Sequence, residues 1–163
     1  MSGVQIPLLP LDKYLKKSIM ETLFKLLSDA HSSLFVLFHK TWAYHWNVVG
    51  EDFTQLHKLF GKQYNTMFEE IDRLSEHMRY LNIKPLSSLS RMLEVTQIKE
   101  ATSSPGAKEM LQNLLDNNIT FCELMQGISE EAEEQKQYAT ANLVQDLMES
   151  HGKFVWQLRS HLQ

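Results

Sequence analysis

Two histidines and two acidic residues stand at spacings that suit a metal site. His45 and His57 lie twelve residues apart, and Asp72 and Glu76, which follow them, are four residues apart. Two imidazoles and two carboxylates form a ligand set that borderline and hard transition-metal ions accept. These residue types therefore predict a metal site, provided that the chain can bring the four side chains together.

The composition predicts one helical domain that spans residues 1–163. Of the 163 residues, 43% are hydrophobic and 22% are charged, while only 6 are Gly and 4 are Pro. A chain of this length can bury a sizeable core. Because Gly and Pro are the weakest helix formers, their scarcity favours helices over other structure.

Charge, cysteine content and hydropathy indicate a cytoplasmic protein. The formal net charge of −4 gives no overall positive field that would attract nucleic acid. Cys122 is the single cysteine, which excludes an internal disulfide and fits a reducing compartment. No apolar run approaches the roughly 18 residues of a membrane-spanning helix, and the N-terminus does not resemble a signal peptide.

Apolar residues recur every three or four positions over four long stretches, as on the buried face of an amphipathic helix. An irregular lead of residues 1–10 precedes them. We predict that the first helix ends at 48–50, that the second spans 52–82, that the third spans 107–135, and that Thr140 caps the fourth. The polar connection 86–105 holds a short helix at 89–93. The predicted fold class is all-α, a four-helix bundle with a short extra helix in the long middle connection.

Helix geometry separates the four candidate ligands into two pairs. Asp72 and Glu76 lie one turn apart on the second helix, so both carboxylates can reach one ion. His57 is fifteen residues before Asp72 on the same helix, which is about 22 Å along the axis. His45 can approach His57 across the turn but cannot reach the acids. If two second helices cross antiparallel near Asn65, the histidines of one copy meet the acids of another, and two-fold symmetry makes two sites.

Two alternatives to this arrangement remain open. A di-iron centre within one bundle uses Glu-x-x-His pairs, but no acid stands three residues before any of the seven histidines. The candidate ligands can also be ordinary surface residues, with Asp72 and Glu76 balanced by Arg73 and Arg79.

Four segments of the chain carry a family resemblance. They are HWNVVGEDFTQLHKLF at 45–60, EEIDRLSEH at 69–77, SLSRMLEVTQIKE at 88–100 and KFVWQL at 153–158. Together, in this order and at these spacings, they resemble the Dps-type miniferritins of the ferritin-like superfamily.

The resemblance implies a ferritin-like four-helix bundle and a hollow homo-dodecamer built from two-fold dimers. Ferroxidase sites would lie between subunits, with His45 and His57 from one chain and Asp72 and Glu76 from the other. Fe(II) would be oxidised there, preferentially by hydrogen peroxide, and stored as a ferric mineral. Zinc is a candidate competitor for the site. Trp46 matches an oxidisable tryptophan beside it; simple packing is its alternative role.

Three positions depart from the family pattern. Gly61 stands where many members carry an acid, which places a second firmly held iron in doubt. His77 stands where an arginine is common. Its two candidate roles are an added metal ligand and a changed ion pair. Residues 137–142 lack the aspartates that often line an iron-entry pore. Other acids would then have to supply the field, and the candidates are Glu130, Glu131, Glu133 and Glu134.

Two other functions compete with iron oxidation. Some members of the family condense DNA, which requires several phosphate contacts from basic side chains. The N-terminal part of this chain offers Lys13, Lys16 and Lys17, and the whole chain is acidic, so we do not expect strong DNA binding. The other candidate is a ferritin-like shell without catalytic activity that serves as a scaffold.

Overall fold

The computed structural model describes the backbone of residues 11–163 and the side chains of residues 21–163. This part of the chain contains helices and no strand. The helices are α1 (Leu11–Asn47), α2 (Phe53–Tyr80), α3 (Leu89–Val95), α4 (Ala107–Glu134) and α5 (Tyr138–Leu162). The all-α prediction and the short helix in the middle connection are confirmed. The predicted irregular lead lies outside the described residues, and a single domain over 1–163 stays a prediction.

The four long helices bury the apolar faces that the sequence pattern predicts. On α2 the buried positions recur every three or four residues, and they are Leu56, Phe60, Gln63, Met67, Glu70, Leu74 and Met78. Faces of α1, α4 and α5 complete one continuous hydrophobic core. Burial of one such Leu or Phe side chain contributes about 1.5–3 kcal/mol, so this core is the main source of stability. Two members of the α2 face, Gln63 and Glu70, are polar.

Two side-chain hydrogen bonds fix the register of α1 against α4. The Lys40 ammonium donates to Asn117 Oδ1 at 2.5 Å, and Asn113 Nδ2 donates to the Tyr44 hydroxyl at 3.1 Å. Each helix contributes residues four apart, and the order reverses between them, so the two helices run antiparallel. Burial lowers the pKa of Lys40 from 10.5 to about 8.

The turn from α1 to α2 has the residue that its backbone geometry requires, whereas one predicted cap is wrong. Gly50 has φ of 116° in the tight connection from α1 to α2, where a side chain would be strained. Thr140 is not the cap of α5, because the helix already begins at Tyr138. Its buried hydroxyl instead contacts His77 Nε2 at 2.8 Å and joins α5 to α2.

No helix in the described part of the chain combines the length and the apolar character that crossing a bilayer requires.

Candidate metal half-sites

His45 and His57 meet at the junction of α1 and α2. Their rings stack with centroids 3.7 Å apart and an interplanar angle of 21°. His45 occupies the last turn of α1, and His57 the second turn of α2. The turn at Gly50 reverses the chain between them and therefore brings the two rings into contact. The predicted approach of the two histidines is confirmed.

Reciprocal hydrogen bonds hold both imidazoles in one tautomer. His45 Nδ1 lies 2.7 Å from the His57 carbonyl oxygen, and His57 Nδ1 lies 2.8 Å from the His45 carbonyl oxygen. Because a carbonyl can only accept, each Nδ1 carries the hydrogen and donates it. In the neutral rings both Nε2 atoms then keep a free lone pair. Metal-binding histidines are commonly oriented in this way, by a hydrogen bond from the other ring nitrogen.

Aromatic rings extend from the histidine pair along α1 and α2. Tyr64 meets His45 edge-on with centroids 5.1 Å apart, and Trp42 lies 6.0 Å from Tyr64. Trp46 contacts Trp42 at 4.4 Å and is 53% exposed. Trp46 therefore connects to the histidine half-site, which is the pair His45 and His57, through two intervening rings.

Asp72 and Glu76 are exposed on α2, one turn apart. In the described part of the chain neither carboxylate makes a hydrogen bond or an ion pair. Arg73, expected as a balancing charge, instead pairs with Asp146 of α5 at 3.2 Å. Arg79 donates to the Ile83 carbonyl at 3.4 Å. Neither Arg73 nor Arg79 therefore balances the two acids, as the alternative of ordinary surface charges had predicted. The two carboxylates remain available to a cation.

The histidine pair and the acid pair do not form one cluster within the chain. Over residues 21–163, no group of three or more His, Cys, Asp or Glu side chains is placed to hold a metal ion. The predicted separation of the ligands along α2 accounts for this result.

His77 packs between α2 and α5, and its interpretation as an added ligand stays a prediction. In the part of the chain that is described it makes no ion pair, and its Nε2 bonds to Thr140 of α5. Burial lowers its pKa below the usual 6.5. His77 is therefore a contact between α2 and α5.

Gly61 lies beneath the His45 ring. A Cβ atom at this position would be 3.1 Å from His45 Cε1 and 3.2 Å from His45 Nδ1. The sequence showed only that an acid is missing here, whereas the structure shows that the His45 ring crowds the position of a Cβ atom.

A buried polar triad crosses the middle of the bundle, and the sequence analysis did not find it. His151 of α5 contacts Asn118 Oδ1 of α4 through Nδ1 at 2.6 Å and Glu70 Oε2 of α2 through Nε2 at 3.1 Å. His151 and Glu70 are almost fully buried. Asn118 Nδ2 donates to the Leu114 carbonyl, so its oxygen faces the imidazole and accepts from Nδ1. The remaining contact holds one proton between His151 and Glu70.

Three carboxylates at the acidic end of α4 accept hydrogen bonds from glutamine amides. Gln126 donates to Glu130 at 3.0 Å, Gln135 to Glu131 at 2.7 Å, and Gln145 to Glu133 at 3.0 Å. Because a neutral amide adds no charge, these contacts leave the start of the α4–α5 turn acidic.

Comparison with known proteins agrees with the fold. A family model described as a ferritin-like domain matches residues 24–163. The DNA protection during starvation protein of Brevibacillus brevis is 30% identical over 91% of this chain and 100% of that protein. The structure of Dps from Thermosynechococcus elongatus has a TM-score of 0.89 at 26% identity, covering 91% of this chain and 95% of that one.

A second structure is the Dps protein of Vibrio cholerae O1, described as a member of a broad superfamily of ferritin-like diiron-carboxylate proteins. Its TM-score is 0.85 at 30% identity, over 90% of this chain and 92% of that one. With the matched family domain, these likenesses show that the chain belongs to the ferritin-like family. Within that family it is a Dps-type miniferritin.

Proposed function

We propose that this protein oxidises Fe(II) at sites between two-fold-related subunits and stores the ferric product inside a hollow homo-dodecameric shell. Membership of the Dps and ferritin-like family supports iron storage or protection as the general function. The finer assignment places His45 and His57 of one subunit opposite Asp72 and Glu76 of a second copy.

The reciprocal bonding of His45 and His57 carries this proposal. Both hydrogen bonds use Nδ1, so the Nε2 atom of each ring stays free to bind a metal ion. Two imidazoles fixed in this tautomer hold a divalent cation weakly unless anionic ligands join them. The unpaired carboxylates of Asp72 and Glu76 are the complementary set on the same helix, and only a second copy brings them to the histidines.

Exposed aromatic side chains on α1 and α2 support the second copy. Trp46 is 53% and Phe68 is 65% exposed, and ring contacts connect them through the half-buried Trp42 and the buried Phe38. Farther along α1, an apolar groove lies against α3, and its lining includes Phe35, Leu89 and Leu93. Exposed apolar side chains grouped in this way favour a protein interface. Trp46 and Phe68 lie on α1 and α2, the two helices that carry the candidate ligands.

The ligand set accounts for iron chemistry. Two imidazoles and two carboxylates leave positions open for an oxidant, and the carboxylates stabilise Fe(III) relative to Fe(II). Two Fe(II) ions supply the two electrons that reduce one hydrogen peroxide to water, and hydrolysis of the Fe(III) releases protons. Zinc takes the same donor atoms without redox change, so it would act as a competitor. The comparisons support iron and give no support to zinc.

Trp46 and the acidic end of α4 take supporting roles. Trp46 serves as an oxidisable neighbour that reaches His45 through Trp42 and Tyr64. The carboxylates from Glu130 to Glu134 attract Fe(II) toward the shell in place of the missing pore aspartates.

Iron oxidation in the full-length protein tests the assignment. Fe(II) is added with hydrogen peroxide, and the ferric product is followed by absorbance. His57→Ala and Asp72→Ala are expected to slow the reaction by about tenfold or more. Glu69→Ala is the matched control, because Glu69 is an exposed α2 acid outside the ligand set. Equal rates in all four proteins would overturn the site assignment. A parent rate no faster than that of Fe(II) and peroxide without protein would favour a shell without catalytic activity.

DNA condensation receives no support from a described contact. The three lysines on which it would depend, Lys13, Lys16 and Lys17, lie outside the residues whose side chains the structure describes.

A further inference from the structure

Gly61 is the one described glycine with another residue's side chain within 4 Å of the position that a Cβ atom would take. Its Cβ would meet Cε1 and Nδ1 of His45 at 3.1 and 3.2 Å. The other described glycines have nothing within 4 Å of such an atom, and they are Gly50, Gly106, Gly127 and Gly152. The close approach at residue 61 is therefore specific to the histidine pair.

The two crowded atoms are the ones that position His45. Nδ1 donates the hydrogen bond to the His57 carbonyl. Cε1 is bonded to both Nδ1 and Nε2, so a push on Cε1 also displaces the nitrogen that is free for a metal. A shift of the ring by a few tenths of an ångström would lengthen that hydrogen bond or tilt Nε2.

The His45 ring has little freedom to move away. The His57 ring stacks on it at 3.7 Å, and Tyr64 meets it edge-on at 5.1 Å. Gly61 and Tyr64 both belong to α2, whose backbone is held by its own hydrogen bonds at this position. The crowding caused by a side chain at residue 61 would therefore be relieved by displacement of His45.

We propose that Gly61 is a positioning residue that seats the His45 imidazole so that its Nε2 can bind a divalent transition-metal ion. This inference rests on the proposed function. Its consequence runs against the family pattern, in which an acid is common at this position. An acid introduced here adds an oxygen ligand but displaces a nitrogen ligand, so it weakens the site instead of completing it.

Helix propensity makes the test discriminating. Ala forms helix better than Gly, so Gly→Ala within an unobstructed helix is neutral or stabilising. Gly152 lies inside α5 with open space around its Cβ position and provides the matched control. Harm from Gly61→Ala, but not from Gly152→Ala, would then come from the contact with His45.

The first measurement is a calorimetric titration of the full-length protein with Co(II), which occupies imidazole–carboxylate sites without being oxidised. Gly61→Ala and Gly61→Asp are expected to lower the Co(II) affinity by about tenfold. Gly152→Ala is expected to bind as the parent protein does. Unchanged or tighter binding in both Gly61 variants, or a second ion per site in Gly61→Asp, would overturn the proposal.

The second measurement needs no metal. In the parent protein the His45 Nδ1–H proton is hydrogen-bonded and should give a distinct imidazole NMR signal. Gly61→Ala is expected to shift or broaden this signal, and Gly152→Ala to preserve it. A preserved signal in Gly61→Ala would show that the ring has not moved and would contradict the proposal.

A third variant covers the case in which Gly61→Ala fails to fold. Removal of the ring relieves the crowding, so His45→Ala/Gly61→Ala should be at least as stable as His45→Ala alone. A double variant that is clearly less stable would contradict the proposal. Failure of the proposed function looks different: the parent protein would then bind Co(II) independently of His57 and Asp72, while the metal-free signal would still report on Gly61.

Discussion

His45 and His57 each donate Nδ1–H to the backbone carbonyl of the other residue. The two bonds form a closed pair across the turn that joins α1 to α2. Because the acceptors belong to the backbone, the orientation of one ring does not require the side chain of the other. The half-site is therefore assembled within one chain before any metal or second copy arrives.

Replacement of one histidine should leave the other in place. In His57→Ala the residue 57 carbonyl persists, so the His45 Nδ1–H bond survives, although ring stacking is lost. We expect the imidazole NMR signal of His45 to remain protected in the metal-free variant. Rapid exchange of that proton in His57→Ala would mean that stacking, and not the carbonyl bond, holds the ring.

The buried triad predicts a large loss of stability when only one partner is removed. His151→Leu leaves the Glu70 carboxyl in the core without its partner, and such a change costs about 3–5 kcal/mol. Urea unfolding at fixed protein concentration measures it. Glu70→Leu/His151→Leu should recover most of the loss, because two apolar side chains need no partner. A double variant no more stable than His151→Leu would contradict this account.

Lys40 predicts a pH dependence of stability on the alkaline side. Burial lowers its pKa in the folded protein from 10.5 to about 8. Between these values the unfolded chain binds more protons, so the free energy of unfolding rises with pH. The full effect is about 3 kcal/mol. Unfolding of the parent and of Lys40→Met at pH 7.5 and 9.5 should show this rise only in the parent. Parallel changes in both proteins would place its origin elsewhere.

Trp46 should be oxidised before Trp156 during iron turnover. Trp156 is more exposed, at 66%, but makes no ring contact with another described aromatic residue. Trp46 connects to His45 through Trp42 and Tyr64. Peptide mass mapping after Fe(II) and peroxide treatment should locate early oxidation at residue 46. Equal oxidation of both tryptophans would indicate simple solvent exposure, and packing would then suffice as the role of Trp46.

Local periodicity accounts for what could be predicted, and distant contacts account for what could not. The spacing of Leu56, Phe60 and Met67 predicts α2 because every step matches a helical turn. The contact between Glu70 and His151 joins residues 81 positions apart, so no local spacing of acids and histidines indicates it. Thr140 has the residue type of a cap, but the helix begins two residues earlier and buries its hydroxyl.

The residue types of the proposed site can be chosen from the sequence, but its geometry cannot. If His57 and Asp72 bind the same ion, their fifteen-residue separation on one helix requires a second copy. The hydrogen bonds that orient the rings use backbone carbonyls, which leave no mark on residue identity. The role of Gly61 depends on the position of the His45 ring, which only the folded turn determines.

The shared site is tested most directly by subunit mixing. His57→Ala keeps the acids and Asp72→Ala keeps the histidines, so each homo-oligomer should oxidise Fe(II) slowly. After the two proteins are dissociated and reassembled together, a mixed two-fold dimer contains one complete site. Random pairing should then restore about a quarter of the parent rate. A mixture that stays as slow as its components, although mixed oligomers have formed, would contradict a site built from two subunits.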